Sequence, residues 1–187
     1  MVWRPSRTCV SVPRSRFNPQ FNREALAQTL SQRGIKYVFL GEELGARSSD
    51  PHCYVEGRAS YDLIAKTELF QEGLRRVLRG AETFRLALMC AEKEPLHCHR
   101  AILVARHLIE KGADVSHILA DGSLEPHGGA LDRLVVALRI PGEDMLRTRA
   151  QVIEDAYQVQ GASIAYEERD IEVDHTTQAI KLAGGVR

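Results

Sequence analysis

From Asn22 onward, apolar residues recur in two rhythms that take turns along the chain, one helical and one of strand length. Leu26 and Leu30 fall on one face of a helix that Asn22 caps and Gly34 stops. Ile35-Lys-Tyr-Val-Phe-Leu40 follows, rich in β-branched and aromatic residues, and predicts a strand. Residues 41–59 carry Gly, Ser, Pro and charges and read as a long loop, a kind of segment that is often functional. Thr67 caps a helix with Leu74, Val77 and Leu78 at i, i+3, i+4, and Gly80 ends it. Leu86-Ala-Leu-Met-Cys90 is the short apolar run expected of a strand covered on both faces. Residues 101–111 predict a helix that is apolar nearly all round and stops at Gly112. Val115–Leu119 predicts a further strand, residues 130–138 and 145–160 predict helices, and residues 163–167 predict a last strand. This alternation points to an α/β fold, with a mainly parallel central sheet flanked by helices in three layers. A chain of 187 residues is long enough to bury a core and reads as one domain.

Composition narrows the function classes. Lys+Arg and Asp+Glu each number 25, so the formal net charge is zero, where a tight nucleic-acid binder shows a basic excess. No apolar run approaches the roughly 20 residues that cross a bilayer, and no secretory h-region is present. Cys9, Cys53, Cys90 and Cys98 lack the spacing of a disulfide-stapled secreted domain and read as free thiols of a cytoplasmic protein. Residues 1–23 hold Arg4, Arg7, Arg14, Arg16 and Arg23 with no acid before Glu24. That is the composition of a transit peptide, but Pro5 and Pro13 break the amphipathic helix such a peptide needs.

The segment with the most chemistry is Cys90-Ala-Glu-Lys-Glu-Pro-Leu-His-Cys-His-Arg100, between a buried strand and a helix. Open α/β sheets bind ligands at the carboxyl ends of their strands, and a helix start offers unpaired N–H groups and a positive dipole end to an anion. Pro95 suits the first helical turn. Arg100 can clamp a phosphate or carboxylate, and Cys90 or Cys98 near that dipole is a candidate thiolate. Each residue also has a plainer reading. Cys90 can be a small hydrophobe at a strand end, Glu92 and Glu94 can favour a helix start, and Arg100 can pair with a surface acid. Zinc competes with the anion reading, because His97, Cys98 and His99 adjoin and Cys90 precedes them. Adjacent residues rarely share one ion, so this set calls for help from His52, Cys53 or His127. Two weaker segments are Ser15-Arg-Phe-Asn-Pro-Gln-Phe21 and Asp121-Gly-Ser-Leu-Glu-Pro-His127. The second reads as a turn on the same sheet edge as residues 91–100.

Leu88-Met-Cys-Ala-Glu-Lys-Glu-Pro-Leu-His-Cys-His-Arg100 resembles the signature of the domain of unknown function 488 family. Ser15–Phe21, Gly34–Leu40, Gly41-Glu-Glu-Leu44 and His117-Ile-Leu-Ala-Asp-Gly122 match as well. The similarity spans about residues 11–140, with a helical C-terminal extension over about 141–187. The family is prokaryotic and largely uncharacterised, so the resemblance implies the α/β fold and brings no reaction. Its motif falls here on Cys90, Glu92, Cys98, His99 and Arg100, with Arg16, Pro19 and Phe21. Members usually open with a strand, a helix and a second strand, whereas Met1–Cys9 does not look like the family. The expectation is therefore a truncated or frame-shifted start and a missing N-terminal strand, with an exposed sheet edge.

The function expected is a small enzyme on an anionic substrate, with Cys90, Glu92, Cys98 and His99 catalytic and Arg100, Arg16, Asn18 and Phe21 binding substrate. Neither the Cys90 nor the Cys98 spacing to Arg100 is the Cys-x5-Arg of cysteine phosphatases. No cofactor, metal or membrane partner is assigned, and the oligomeric state is left open. The alternatives are a nucleic-acid-associated protein that uses the basic N-terminal segment, and a non-catalytic ligand-binding module.

Overall fold

The computed structural model describes the backbone of residues 6–8 and residues 18–142, 145 and 147–167, so Arg16 and Cys9 lie outside the described residues. Strand β1 (Ser6–Thr8) is followed by a 3₁₀ turn at Pro19–Phe21 and helix α1 (Arg23–Ser31). Asn22 is the N-cap of α1, and the chain turns back at Gly34, whose φ of 69° is open only to a residue without a Cβ penalty. Strand β2 (Val38–Phe39) lies parallel beside β1.

Residues 41–59 are not the long loop their polarity predicts. They hold the short helix α2 (Gly41–Leu44) and a hairpin of β3 (Tyr54–Val55) and β4 (Arg58–Ala59). Glu56 and Gly57 make the two-residue turn, with φ of 51° and 77°, the double positive φ that matches strand twist. Asn-Gly would have signalled it, whereas Glu-Gly does not.

Helix α3 (Tyr61–Lys66) starts where the Ser60 hydroxyl accepts from Leu63 N, and α4 (Glu68–Ala81) starts where Thr67 Oγ1 accepts from Phe70 N at 3.2 Å. The helix passes through Gly80 and ends one residue later. Its apolar face buries Phe70, Leu74 and Val77 against Leu40 and Leu44, and Arg76 pairs with Glu43 of α2. Strand β5 (Ala87–Met89) lies parallel to β1 on its other side, so the sheet order is β2-β1-β5. Ser6–Thr8 therefore fills the middle position that the sequence left without a strand.

After β5 a 3₁₀ turn at Pro95–His97 leads into a π-helical turn at Arg100–Ala105, which continues as α5 (Arg106–Glu110). Ala101 to Ala105 are buried without a break, as the apolar run predicts. Leu103, Val104 and Leu108 enter one core cluster with α4, and Ile102 enters a second. Each buried Leu or Ile contributes about 1.5–3 kcal/mol, so this segment is a fixed spine between the two cores.

Beyond Gly112, the run at Val115–Leu119 does form a strand, β6 (Ser116–Ile118), but its partner is β7 (Leu124–Pro126), antiparallel. The turn between them rests on Asp121, whose carboxylate accepts from Ser123 N at 2.9 Å, and on Gly122 at φ 85°. The Asp-Gly chemistry was legible, but the strand after it was not. Helix α6 (His127–Ala137) and helix α7 (Arg149–Ile164) close the second core, and Thr148 with Gln151 forms a capping box on α7. The last strand expected at residues 163–167 is absent, because α7 runs to Ile164 and only Glu167 bridges to Arg58. The fold therefore mixes helices with a small parallel sheet and two antiparallel hairpins.

Candidate functional site

Cys90 is the residue at which the chain leaves the carboxyl end of β5. The Glu94 carboxylate accepts from Leu96 N at 3.3 Å and starts the 3₁₀ turn, with Pro95 at its first position. That turn delivers Cys98, whose carbonyl accepts from Ala101 N at 3.0 Å and from Ile102 N at 3.3 Å to begin the π-helical turn. Such wide turns are rare and gather at functional sites. Here the turn opens with His99 and Arg100, and Arg100 N donates to Cys98 Sγ at 3.4 Å.

These constraints bring four side chains of the motif to one point. Cys90 Sγ donates to Glu92 Oε2 at 2.8 Å, and Cys98 Sγ donates to the same oxygen at 3.3 Å. His99 Nδ1 lies 3.6 Å from Cys90 Sγ, and one polar atom from each of the four residues lies within 4.8 Å of all the others. Cys98 is 1% exposed and His99 is 7% exposed, whereas Cys90 is half-buried. Glu92 as a residue is exposed, but its carboxylate turns inward onto two sulfurs. Loss of water there, and then contact with Cys90, raises its pKa.

The helix start does not make Cys98 the low-pKa thiol that the sequence suggests. Contact with Cys90 comes first and burial second, and together they push the Cys98 thiol far up against the weaker pull of Arg100. Of the two thiols, Cys90 is the accessible one.

Arg100 is half-buried, and among the described residues its guanidinium makes no ion pair. Its charge is felt at Cys98 on one side and at His117 on the other, where burial first and then Arg100 hold the imidazole pKa down. Tyr61 was not foreseen. It is half-buried beside the same group, and loss of water, then the charges of Cys98, Glu92 and Cys90, raise the pKa of its hydroxyl. Tyr61 also lines a cleft of about 590 Å³ together with Arg58, Arg106, His107 and Tyr157. No periodicity or spacing marks Tyr61 in the sequence, because what matters is where α3 lands.

The remaining candidates fall elsewhere. Asn18 precedes the exposed turn at Pro19–Phe21, Phe21 is 56% exposed, and neither belongs to the four-residue group. His52 pairs with Asp50 at the surface, and Cys53 is buried in the first core. His127 belongs to a buried chain in which His117 Nε2 meets its Nδ1 at 2.8 Å and its Nε2 meets the Tyr157 hydroxyl at 2.7 Å.

A family model described as a domain of unknown function, DUF488, matches residues 9–107, just over half the chain. The chain belongs to the DUF488 family. The DUF488 match contains the whole Cys90–Arg100 segment and the π-helical turn, and it ends within α5. The β6–β7 hairpin, α6 and α7, with the His117–His127–Tyr157 chain, follow it. No curated protein and no solved structure matches the chain.

Proposed function

We propose that the junction after β5 binds a small anion, a phosphate or a carboxylate, and that the protein is a small cytoplasmic enzyme acting on it. The observation that carries this reading is Arg100, a half-buried residue with no ion pair among the described residues, whose backbone N donates to Cys98 Sγ and whose charge is felt at that thiol. A cation without a counter-ion at a helix start has an anionic ligand as its natural partner. A second support is position. β1 and β5 run parallel and end at the same sheet edge, where α/β proteins hold their ligands. We take that sheet as the centre of the layered, mainly parallel α/β architecture that the sequence predicts.

In this reading Arg100 holds the charge, with Arg16 as a second cation from the segment before α1. Cys90 is the thiol in reach of substrate. Glu92 and His99 are the groups in reach of a transferred proton. Titration calorimetry with inorganic phosphate tests the binding step: the parent protein binds, and Arg100→Ala loses at least about tenfold in affinity, about 1.4 kcal/mol. Equal affinity in the two proteins removes Arg100 from the site.

A further inference from the structure

We propose that Cys90, Cys98, His99 and Glu92 form a binding site for a zinc-class divalent cation. The inference goes beyond the anion reading and does not depend on it, because Arg100 is not among the ligands.

The donor set points to this class of ion. Two sulfurs and an imidazole suit zinc and its d-block neighbours, whereas magnesium and calcium take oxygen. The spacing agrees. Zinc bonds of the usual length, set tetrahedrally, hold their donor atoms about 3.4–3.8 Å apart. The donors here stand 2.8, 3.3 and 3.6 Å apart where they touch, and all fall within 4.8 Å. Only small side-chain movements separate this packing from a coordination sphere.

The objection that neighbours such as Cys98 and His99 rarely share an ion is met by the backbone. Cys98 is extended, with φ −127° and ψ 133°, and His99 is helical, with φ −54° and ψ −26°. The change of conformation between them turns both side chains toward Cys90. Both residues are buried at the start of the spine helix and Cys90 is fixed by the end of β5, so three donors are held in place before any ion arrives. Glu92 stands on the solvent side. That makes it the exchangeable fourth ligand, the position that catalytic zinc sites keep open to water or substrate.

Charge also balances. Two thiolates and a carboxylate carry three negative charges, the ion supplies two positive charges, and Arg100 next to Cys98 offsets the remainder. Binding releases the two thiol protons, so affinity rises with pH. An ion at this point would place a Lewis acid beside the guanidinium that holds the anion.

The test is cobalt(II) titration of the full chain after chelator stripping under reducing conditions. The expected result is a single equivalent bound, with sulfur-to-cobalt charge-transfer and tetrahedral visible bands that zinc abolishes. Cys90→Ser and His99→Gln each weaken binding by about tenfold or more. Glu92→Gln keeps the sulfur bands, and Arg100→Ala keeps the sulfur bands at a weaker affinity while losing phosphate binding, so failure of the anion reading and failure of this one are told apart. Cys90 is half-buried, so Cys90→Ser is checked for a native circular dichroism spectrum in case the buried positions do not tolerate change. Folded, reduced protein that shows no thiolate–cobalt band overturns the proposal. So does a Cys90–Cys98 disulfide in protein isolated without reductant and without bound metal.

Discussion

Cys90 Sγ lies 3.6 Å from His99 Nδ1, although one residue ends a strand and the other opens a helix. The two are joined by a turn that Glu94 and Pro95 start, so the contact is set by backbone structure and not by the side chains alone.

The three described thiols differ in access, and this can be read by alkylation. Cys90 is half-buried, Cys53 is 2% exposed and Cys98 is 1% exposed. Iodoacetamide added to native, metal-free protein is expected to label Cys90 well before Cys53 or Cys98, as followed by peptide mass mapping. Early labelling of Cys98 means that the junction is open where the structure has it closed.

Gly73 gives a prediction of unexpected sign. In a helix, Gly→Ala ordinarily stabilises by about 1 kcal/mol. A Cβ at Gly73 would stand 2.7 Å from Glu43 Cβ and 2.7 Å from Leu44 Cδ2, inside the packing of α4 on α2. Gly73→Ala is therefore expected to destabilise by about 1–3 kcal/mol in urea unfolding. A stabilised variant shows that the two helices are further apart.

Acid stability tests the buried chain next to the site. Burial, and then His117, lowers the His127 pKa from 6.5 to about 4. His117 shifts the same way, while the Tyr157 hydroxyl and the Arg106–Glu154 pair over its ring complete the surroundings. The neutral form is favoured in the fold, so its contribution is present above pH 6.5 and is lost as pH falls toward 4. At that point the loss is on the order of 3 kcal/mol, an upper figure. Glu94 and Glu125, paired with Arg133, have lowered pKa values, so their contribution is lost further down, in the carboxylate range. Urea unfolding at pH 7 and pH 4.5 should show a steeper loss in the parent than in His127→Gln. Equal losses refute the buried neutral imidazole.

Much of this architecture is written locally. The start of α1 after Asn22, the turn at Gly34, the Thr67 cap, the apolar β5 and the stop at Gly112 all follow from propensity and capping within a few residues, although the Asn22 side chain makes no capping hydrogen bond. The misses are where partners are distant. The β6 strand was visible, but its choice of β7 over the parallel sheet depends on pairing that periodicity does not encode. The Glu56-Gly57 hairpin lacks the usual turn residues. The site shows the same division. Its residue types and its place after a strand could be read from the sequence. The convergence of Cys98 with His99 could not, because a spacing rule does not see a break from extended to helical backbone. Tyr61 comes from another element, and nothing near it in sequence reports its neighbours.

The most direct test of the site is a thermal-shift comparison of the parent with Arg100→Ala against phosphate, sulfate, nucleotides and sugar phosphates. A ligand at about 100 times its dissociation constant stabilises by about 2.7 kcal/mol, which is roughly 5–10 °C for a chain of this length. The account predicts such a rise with at least one anion in the parent and its loss in Arg100→Ala. No rise with any anion, or the same rise in both proteins, contradicts it.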